Sequence, residues 1–271
     1  MLNGPLTTLR LPGPFARRRG PSNSAPAFDP DAAAYIAAVE AADEQELEPG
    51  VKQAIDGFVT GCKSDGIWDA IKASCILAGA RTLNGCLVPL TGPAPTNFNF
   101  VSADYDRVTG LKGDGSTKYL NSNRLDNDDP QNNFHLSVYL TSKGSANRCL
   151  IGTSLATGGS LIFHRSNGNL LPPNRIDVYT DFGLMPESGL LANSRSDAFT
   201  YTAYNNGVSE NISGESQSPI GESVAVFRPG VTENQYSNGR LSFYSIGEAV
   251  DLAALDARVT TLMTEIEAAL T

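Results

Sequence analysis

Between about residue 95 and residue 250, apolar side chains recur mostly at every second position, whereas before residue 79 and after residue 250 they recur at steps of three and four. The clearest alternating run is 133–140, Asn-Phe-His-Leu-Ser-Val-Tyr-Leu, and shorter runs follow at 149–152, 161–165, 175–179, 198–204, 223–227 and 240–245. A period of two predicts strands with one buried face, and the Gly, Asn, Ser and Pro clusters between the runs predict turns. Roughly ten short strands separated in this way predict a mainly β fold, an antiparallel β-sandwich (jelly roll) over residues 95–250.

The helical spacings flank that body. Asp29-Pro30-Asp31 is a helix start, because Asp supplies a capping oxygen and Pro a preset φ at the first helical position. Tyr35, Ile36, Val39 and Leu47 mark the apolar face of the helix that follows, which Glu48-Pro49-Gly50 breaks. Val51, Ala54, Ile55, Phe58, Val59 and Cys62 predict a second helix, ended by Ser64-Asp65-Gly66. Ile67, Trp68, Ile71 and Cys75, with Ile76 and Leu77, predict a third. Residues 29–94 thus read as a small helical module and linker. Over 251–271, Leu252, Leu255, Val259, Leu262, Ile266 and Leu270 predict a C-terminal helix that packs on its own domain or, by its near-heptad spacing, on a second copy.

Residues 1–28 follow neither period. Prolines interrupt any ladder and too few large apolar residues are present to offset the entropy of ordering. Two readings apply to this segment, a disordered tail and an extended anchoring arm that becomes ordered on a neighbouring subunit. In the second, Leu9, Leu11 and Phe15 fill pockets and Arg17, Arg18 and Arg19 pair with carboxylates.

The net charge of −9 argues against a nucleic-acid partner for the body of the chain, since phosphates are repelled at long range. No apolar run approaches the roughly 20 residues of a membrane span. The four cysteines, Cys62, Cys75, Cys86 and Cys149, lack zinc-site spacing and read as free, buried residues of a protein made in a reducing cytoplasm.

Candidate chemistry is sparse. His135 and His164 both fall inside strand patterns, and no Gly-x-Ser-x-Gly, His-Glu-x-x-His or phosphate-binding loop occurs. Asp126-Asn127-Asp128-Asp129 offers oxygen ligands for Ca²⁺ but lacks EF-hand spacing, so a solvated loop is expected, with no metal and no cofactor. Sugar recognition needs aromatic faces and planar polar groups together. Tyr179, Tyr204, Asn205, Asn206 and Tyr236 are the candidates for glycan binding, although alternating aromatics also serve as core or cross-strand packing.

Some stretches resemble known sequences. Leu111-x-Gly-Asp-Gly-x-x-Lys-Tyr-Leu120 resembles the opening hairpin of laminin-G-like jelly rolls, 134–140 their first long inner strand, 199–208 their Asn-Gly hairpin and 236–246 their closing strand. Together with the Ala-rich helical segment, this resembles structural proteins of tailed bacteriophages. The resemblance implies a concanavalin-type sandwich in a virion structural protein of fibre, baseplate or head surface. Other virion proteins and further copies of itself would be its partners. A lectin-like adhesin for host-surface glycans is the alternative. Neither reading includes catalysis, and the expectation is that the chain is not an enzyme.

Overall fold

The computed structural model describes Met1, Gly4 and residues 27–154, 158–230 and 234–271. The expectations placed on Leu9, Leu11, Phe15, Arg17, Arg18 and Arg19 lie outside these residues.

Helix α1 (Pro30–Asp43) starts where the sequence predicts: the Asp29 carboxylate accepts from the Asp31 amide at 2.9 Å. Glu44, at φ 54°, ends it in the left-handed region, so Leu47 falls beyond the helix yet remains buried. Helix α2 (Pro49–Ser64) follows, and Lys63 near its end reaches back to Asp29 at 2.6 Å.

The predicted third helix is a correction. Trp68–Ala70 forms one 3-10 turn, and Ile71–Ile76 is a strand, β1. Ile71 and Cys75 are four residues apart, a spacing that fits a helix face and a strand face equally, and all but one of the β1 side chains are buried. Lys72 and Ser74 alternate with Ile71, Ala73 and Cys75 over a run too short to separate the two readings.

After the single-turn helix α3 (Leu83–Cys86), the chain lays down β2 (Thr96–Phe98), β3 (Tyr105–Asp106), β4 (Gly110–Lys112), β5 (Tyr119–Leu125), β6 (Phe134–Ser142) and β7 (Arg148–Gly152). Then come β8 (Leu161–His164), β9 (Leu170–Leu171), β10 (Gly189–Arg195), β11 (Thr200–Asn205), β12 (Val208–Ser213), β13 (Ser223–Val226) and β14 (Arg240–Gly247), and finally helix α4 (Leu252–Leu270). Among the described residues the fourteen strands form two antiparallel sheets. Sheet A runs β12-β11-β10-β6-β14-β4-β3, with β1 also paired to β14; sheet B runs β2-β5-β13-β7-β8-β9.

Two details depart from the sequence reading. The stretch 111–120 is not a hairpin, because β4 lies in sheet A and β5 in sheet B. Asp114 makes the crossover turn, accepting from the Ser116, Thr117 and Lys118 amides and the Thr117 hydroxyl. Burial pushes the Asp114 carboxyl up, but these bonds outweigh it and hold it below the usual range. Residues 175–179 are not a strand either: Arg175 sits at φ 51° with its side chain fully buried.

The molecule is three layers deep. Phe58 of α2 meets Phe243 of β14 edge to face at 5.6 Å, and the Tyr204 hydroxyl of β11 donates to Asp256 of α4 at 2.8 Å. The helices therefore cover the outer face of sheet A, and its inner face packs on sheet B. The apolar stripe of α4 is buried within the chain, as Leu255, Val259 and Ile266 are fully enclosed.

Candidate functional site

The outer face of sheet B carries no helix among the described residues. Leu150, Ile162 and Leu170 turn into the main core, and the residues beside them, Cys149, Leu161, Phe163 and Leu171, form a second, smaller apolar cluster on the other face. Tyr179 packs against it.

At the β2 edge of the same sheet an aromatic row begins. Phe98 pairs with Tyr119 across β2 and β5, and their rings stack at 4.3 Å with 5° between planes. The Arg228 guanidinium, 4% exposed, lies 4.7 Å from the centroids of both Tyr119 and Tyr236. It donates to the Tyr236 hydroxyl at 2.9 Å, and the two tyrosine rings meet edge to face at 6.1 Å. A guanidinium held against two ring faces is attracted by their quadrupoles and fixes both rings. The row ends in Phe98, which is 36% exposed on the edge strand.

Gln235, next to Tyr236, belongs to the rim of a depression of about 270 Å³. Phe163, Leu171 and Tyr179 contribute apolar surface to its lining, and Asn147, Ser166 and Arg165 contribute polar groups. The Cys149 amide donates to the Gln235 carbonyl at 3.0 Å and so ties this segment to β7. Planar amides and a guanidinium around an aromatic surface are the groups that read hydroxylated ligands.

The five residues singled out for glycan binding divide between two sides of the molecule. Tyr179 packs on the small apolar cluster of sheet B, and Tyr236 on Tyr119 and Arg228. Tyr204 is 4% exposed and turned to the helix layer through Asp256. Asn206 and Gly207, at φ 46° and 88°, form the two-residue turn between β11 and β12 that these residue types favour. Asn205 spends its amide on the Phe182 and Leu184 carbonyls, at 3.4 and 3.0 Å. Phe98, Tyr119 and Arg228 complete the row and escaped sequence reasoning. Phe98 in Asn-Phe-Asn and Tyr119 after a charged Lys were the only local signals of outward aromatics.

The acidic run is occupied by the protein itself. Asp129 takes a bidentate pair from Arg124, at 2.6 and 3.0 Å, and Asp128 caps the Leu125 amide at 2.9 Å. Asp126 is fully buried beside Arg175, and burial pushes its carboxyl up to about 6 despite the nearby guanidinium. A solvated loop was expected there; two of its carboxylates are instead buried. Among the described residues no group of three or more His, Cys, Asp or Glu side chains is placed to hold a metal ion, and no helix is long and apolar enough to cross a membrane.

His135 is buried against β14. Its Nδ1 lies 2.5 Å from the Glu248 carbonyl, so Nδ1–H donates there and Nε2 accepts from the Ser245 hydroxyl at 2.9 Å. Burial, opposed by the Glu248 bond and aided by the Arg124 charge, pushes this imidazole down to about 4. All four cysteines are buried, and none is in a disulfide.

No family model matches the chain, and neither does any curated protein. Solved structures do. A mutant of Trypanosoma rangeli sialidase displaying trans-sialidase activity matches 79% of this chain at 11% identity with a TM-score of 0.48. Domain 4 of the extracellular GH43 arabinanase AbnA from Geobacillus stearothermophilus, in complex with arabinotriose, matches 67% of this chain and 83% of its own at 13% identity and a TM-score of 0.39. The binding domain of botulinum neurotoxin DC in complex with SialylT matches 55% at 12% identity and a TM-score of 0.32. The chain spans 39% of the length of the sialidase. One expectation is corrected by these matches. Sialidases stand among the proteins this chain is similar to, so the lack of familiar catalytic motifs no longer supports the statement that it is not an enzyme.

Proposed function

We propose that this chain is a lectin-like carbohydrate-binding protein that holds a host-surface glycan at the aromatic β2 edge of sheet B. The observation that carries the reading is the row Phe98–Tyr119–Arg228–Tyr236 on a face that no helix covers. The C–H face of a sugar ring packs on an aromatic ring, while its hydroxyls need planar donors and acceptors at the margin; a pre-ordered row supplies the first without an ordering cost at binding. The arabinotriose and SialylT complexes of the two solved domains are in keeping with a saccharide ligand but do not choose one.

A glycan array probed with the full chain tests the reading. At least one saccharide class is expected to bind, and Phe98→Ala and Tyr119→Ala are each expected to weaken that binding ten-fold or more with the fold intact. Retained binding in both variants, or no saccharide bound at all, refutes it.

Display on a virion is a second proposal. It is supported by the resemblance to tailed-phage structural proteins and by the basic, proline-rich composition of residues 1–28. In that setting the arm anchors the chain to other virion proteins and the β2 edge of sheet B meets the host. Removing residues 1–28 should then leave a folded chain that fails to join particles; normal incorporation of the truncated chain would sink the anchoring role.

A further inference from the structure

Among the described residues no strand pairs with the outer edge of β12, where sheet A ends. The other terminal strands are shorter or capped. β3 and β9 have two residues each and β2 three, and at the edge of β1 the Ser74 amide donates to the Thr91 carbonyl while the Ser74 carbonyl accepts from the Leu90 amide. Strand β12 has six residues, all exposed except Ile212. The turn at Asn206 and Gly207 fixes how they are bonded. It makes Asn205 and Val208 the first hydrogen-bonded pair, so Val208, Glu210 and Ile212 turn their amides and carbonyls toward β11. The Gly214 amide, next in that series, donates to the Phe199 carbonyl at 2.7 Å. Ser209, Asn211 and Ser213 therefore point theirs outward, along a strand with no Lys, no Pro and no break in its register with β11. Lysines, prolines and bulges are the devices by which exposed edges ordinarily repel a second strand.

From this edge we infer that β12 is a homodimer interface, in which β12 of a second copy pairs with it antiparallel across a two-fold axis and joins the two A sheets into one. Few registers satisfy the geometry. The outward groups of both strands meet, and the faces of the sheet stay continuous, only when odd-numbered residues face odd-numbered ones. Placing Glu210 opposite itself brings like charges together at the axis, which is destabilising. Placing Asn211 opposite itself removes that clash. Ser209 then faces Ser213 of the second copy, Glu210 faces Ile212, and Val208 faces Gly214. The last pair adds apolar contact: Ile176 fills the space that a Cβ on Gly214 would take, and Phe199, the β11 neighbour of Gly214, is 68% exposed. Each Val208, 61% exposed in the single chain, is thus laid beside Ile176 and Phe199 of the other copy. A second copy is the occupant because the edge complements itself. One two-fold axis satisfies the outward groups from Ser209 to Ser213, keeps the Glu210 side chains apart and covers Val208 in both copies.

Sedimentation velocity of the full chain over a concentration series tests this. The wild-type chain is expected to pass from monomer to dimer as concentration rises. Asn211→Pro deletes an outward N–H without removing a backbone bond to β11, forfeiting only the bond that the Thr202 hydroxyl donates to the Asn211 side chain. It should weaken dimerisation by about ten-fold or more and leave the chain folded. If that variant misfolds, a charge pair decides instead. Ser209→Lys with Ser213→Lys sets like charges against each other at both ends of the interface and should abolish the dimer, whereas Ser209→Glu with Ser213→Lys sets opposite charges there and should restore it. A wild-type chain that stays monomeric at every concentration overturns the interface. So does a folded Asn211→Pro variant, or a double-lysine variant, that dimerises as the wild type does. A dimer broken by the lysines and not restored by the Glu and Lys pair overturns the register with Asn211 on the axis. Saccharide binding enters none of these readouts, so the dimer stands or falls apart from the proposed function.

Discussion

Sheets A and B are built from similar short strands, but the outer face of sheet A lies under helices and that of sheet B, among the described residues, does not. In sheet A every residue of β10 is buried, and Phe243 of β14 lies between the helix layer and the strands. In sheet B the outward positions of β7, β8 and β9 form a small apolar cluster that is itself buried, while Phe98 and Tyr119 at the β2 edge are not fully enclosed. Similar chemistry has therefore been put to different ends. Aromatics under the helices stabilise the fold, and at the β2 edge of sheet B Phe98 keeps a partly exposed ring.

The sharpest way to break this contrast is to truncate one aromatic from each side. Phe243→Ala should cost roughly 3–5 kcal/mol, the range for a buried phenylalanine, and denaturant unfolding would measure it. A loss under about 1 kcal/mol would mean that the helix layer rests only loosely on sheet A.

A second test concerns the buried His135. Its folded-state value is pushed to about 4, below the ordinary 6.5, so the unfolded chain binds the proton more tightly. Stability from this group is complete above pH 6.5 and is lost as pH falls toward 4, by roughly 3 kcal/mol. Asp126 acts in the opposite sense: its raised carboxyl, at about 6, favours the fold as pH falls from 6 toward 3.8. Comparing wild type with His135→Gln at each pH separates the two, and the difference should shrink on acidification. A difference independent of pH removes His135 from the account.

Smaller effects are expected where the helices are tied to the sheet by charge. Arg107, beside β3, grips Glu48 with two nitrogens at 2.6 and 3.0 Å and the Ala80 and Gly79 carbonyls at 3.0 Å each. Arg107→Ala should cost about 1–2 kcal/mol in chemical unfolding, discounted because both side chains are partly exposed. Smallest of all is Phe98→Ala, which should alter stability by less than about 1 kcal/mol while saccharide binding falls. A large destabilisation there would recast the outward row as structural.

The legible parts of the fold are those with a polar–apolar alternation of their own or a local cap. The β6 alternation, the Asp29 cap of α1 and the Asp251 start of α4 each carry their own signal. Strand β1 and strand β10 do not: Lys72 and Ser74 alternate over too short a run in β1, and Asn193, Ser194 and Arg195 stand in succession in β10, so polar residues fall on both of its faces. The same physics limits the site. Tyr236 and Tyr179 were visible as aromatics among polar neighbours, but Arg228 acquires its meaning only when β5 and the segment after β13 bring two rings to it. Tyr204 was no different in sequence from Tyr236, and only the α4 carboxylate that captures it tells them apart.

Strand β1 pairs with β14, Ile71 opposite Gly247 and Ile76 opposite Phe243. During synthesis the early segment must therefore wait until more than half of the polypeptide has left the ribosome before its partner exists. Ladders closed over so long an interval form late and slowly. The Ile-Lys-Ala-Ser-Cys-Ile segment is meanwhile an unpaired sticky edge, and a nascent chain of this kind would profit from a chaperone until β14 arrives.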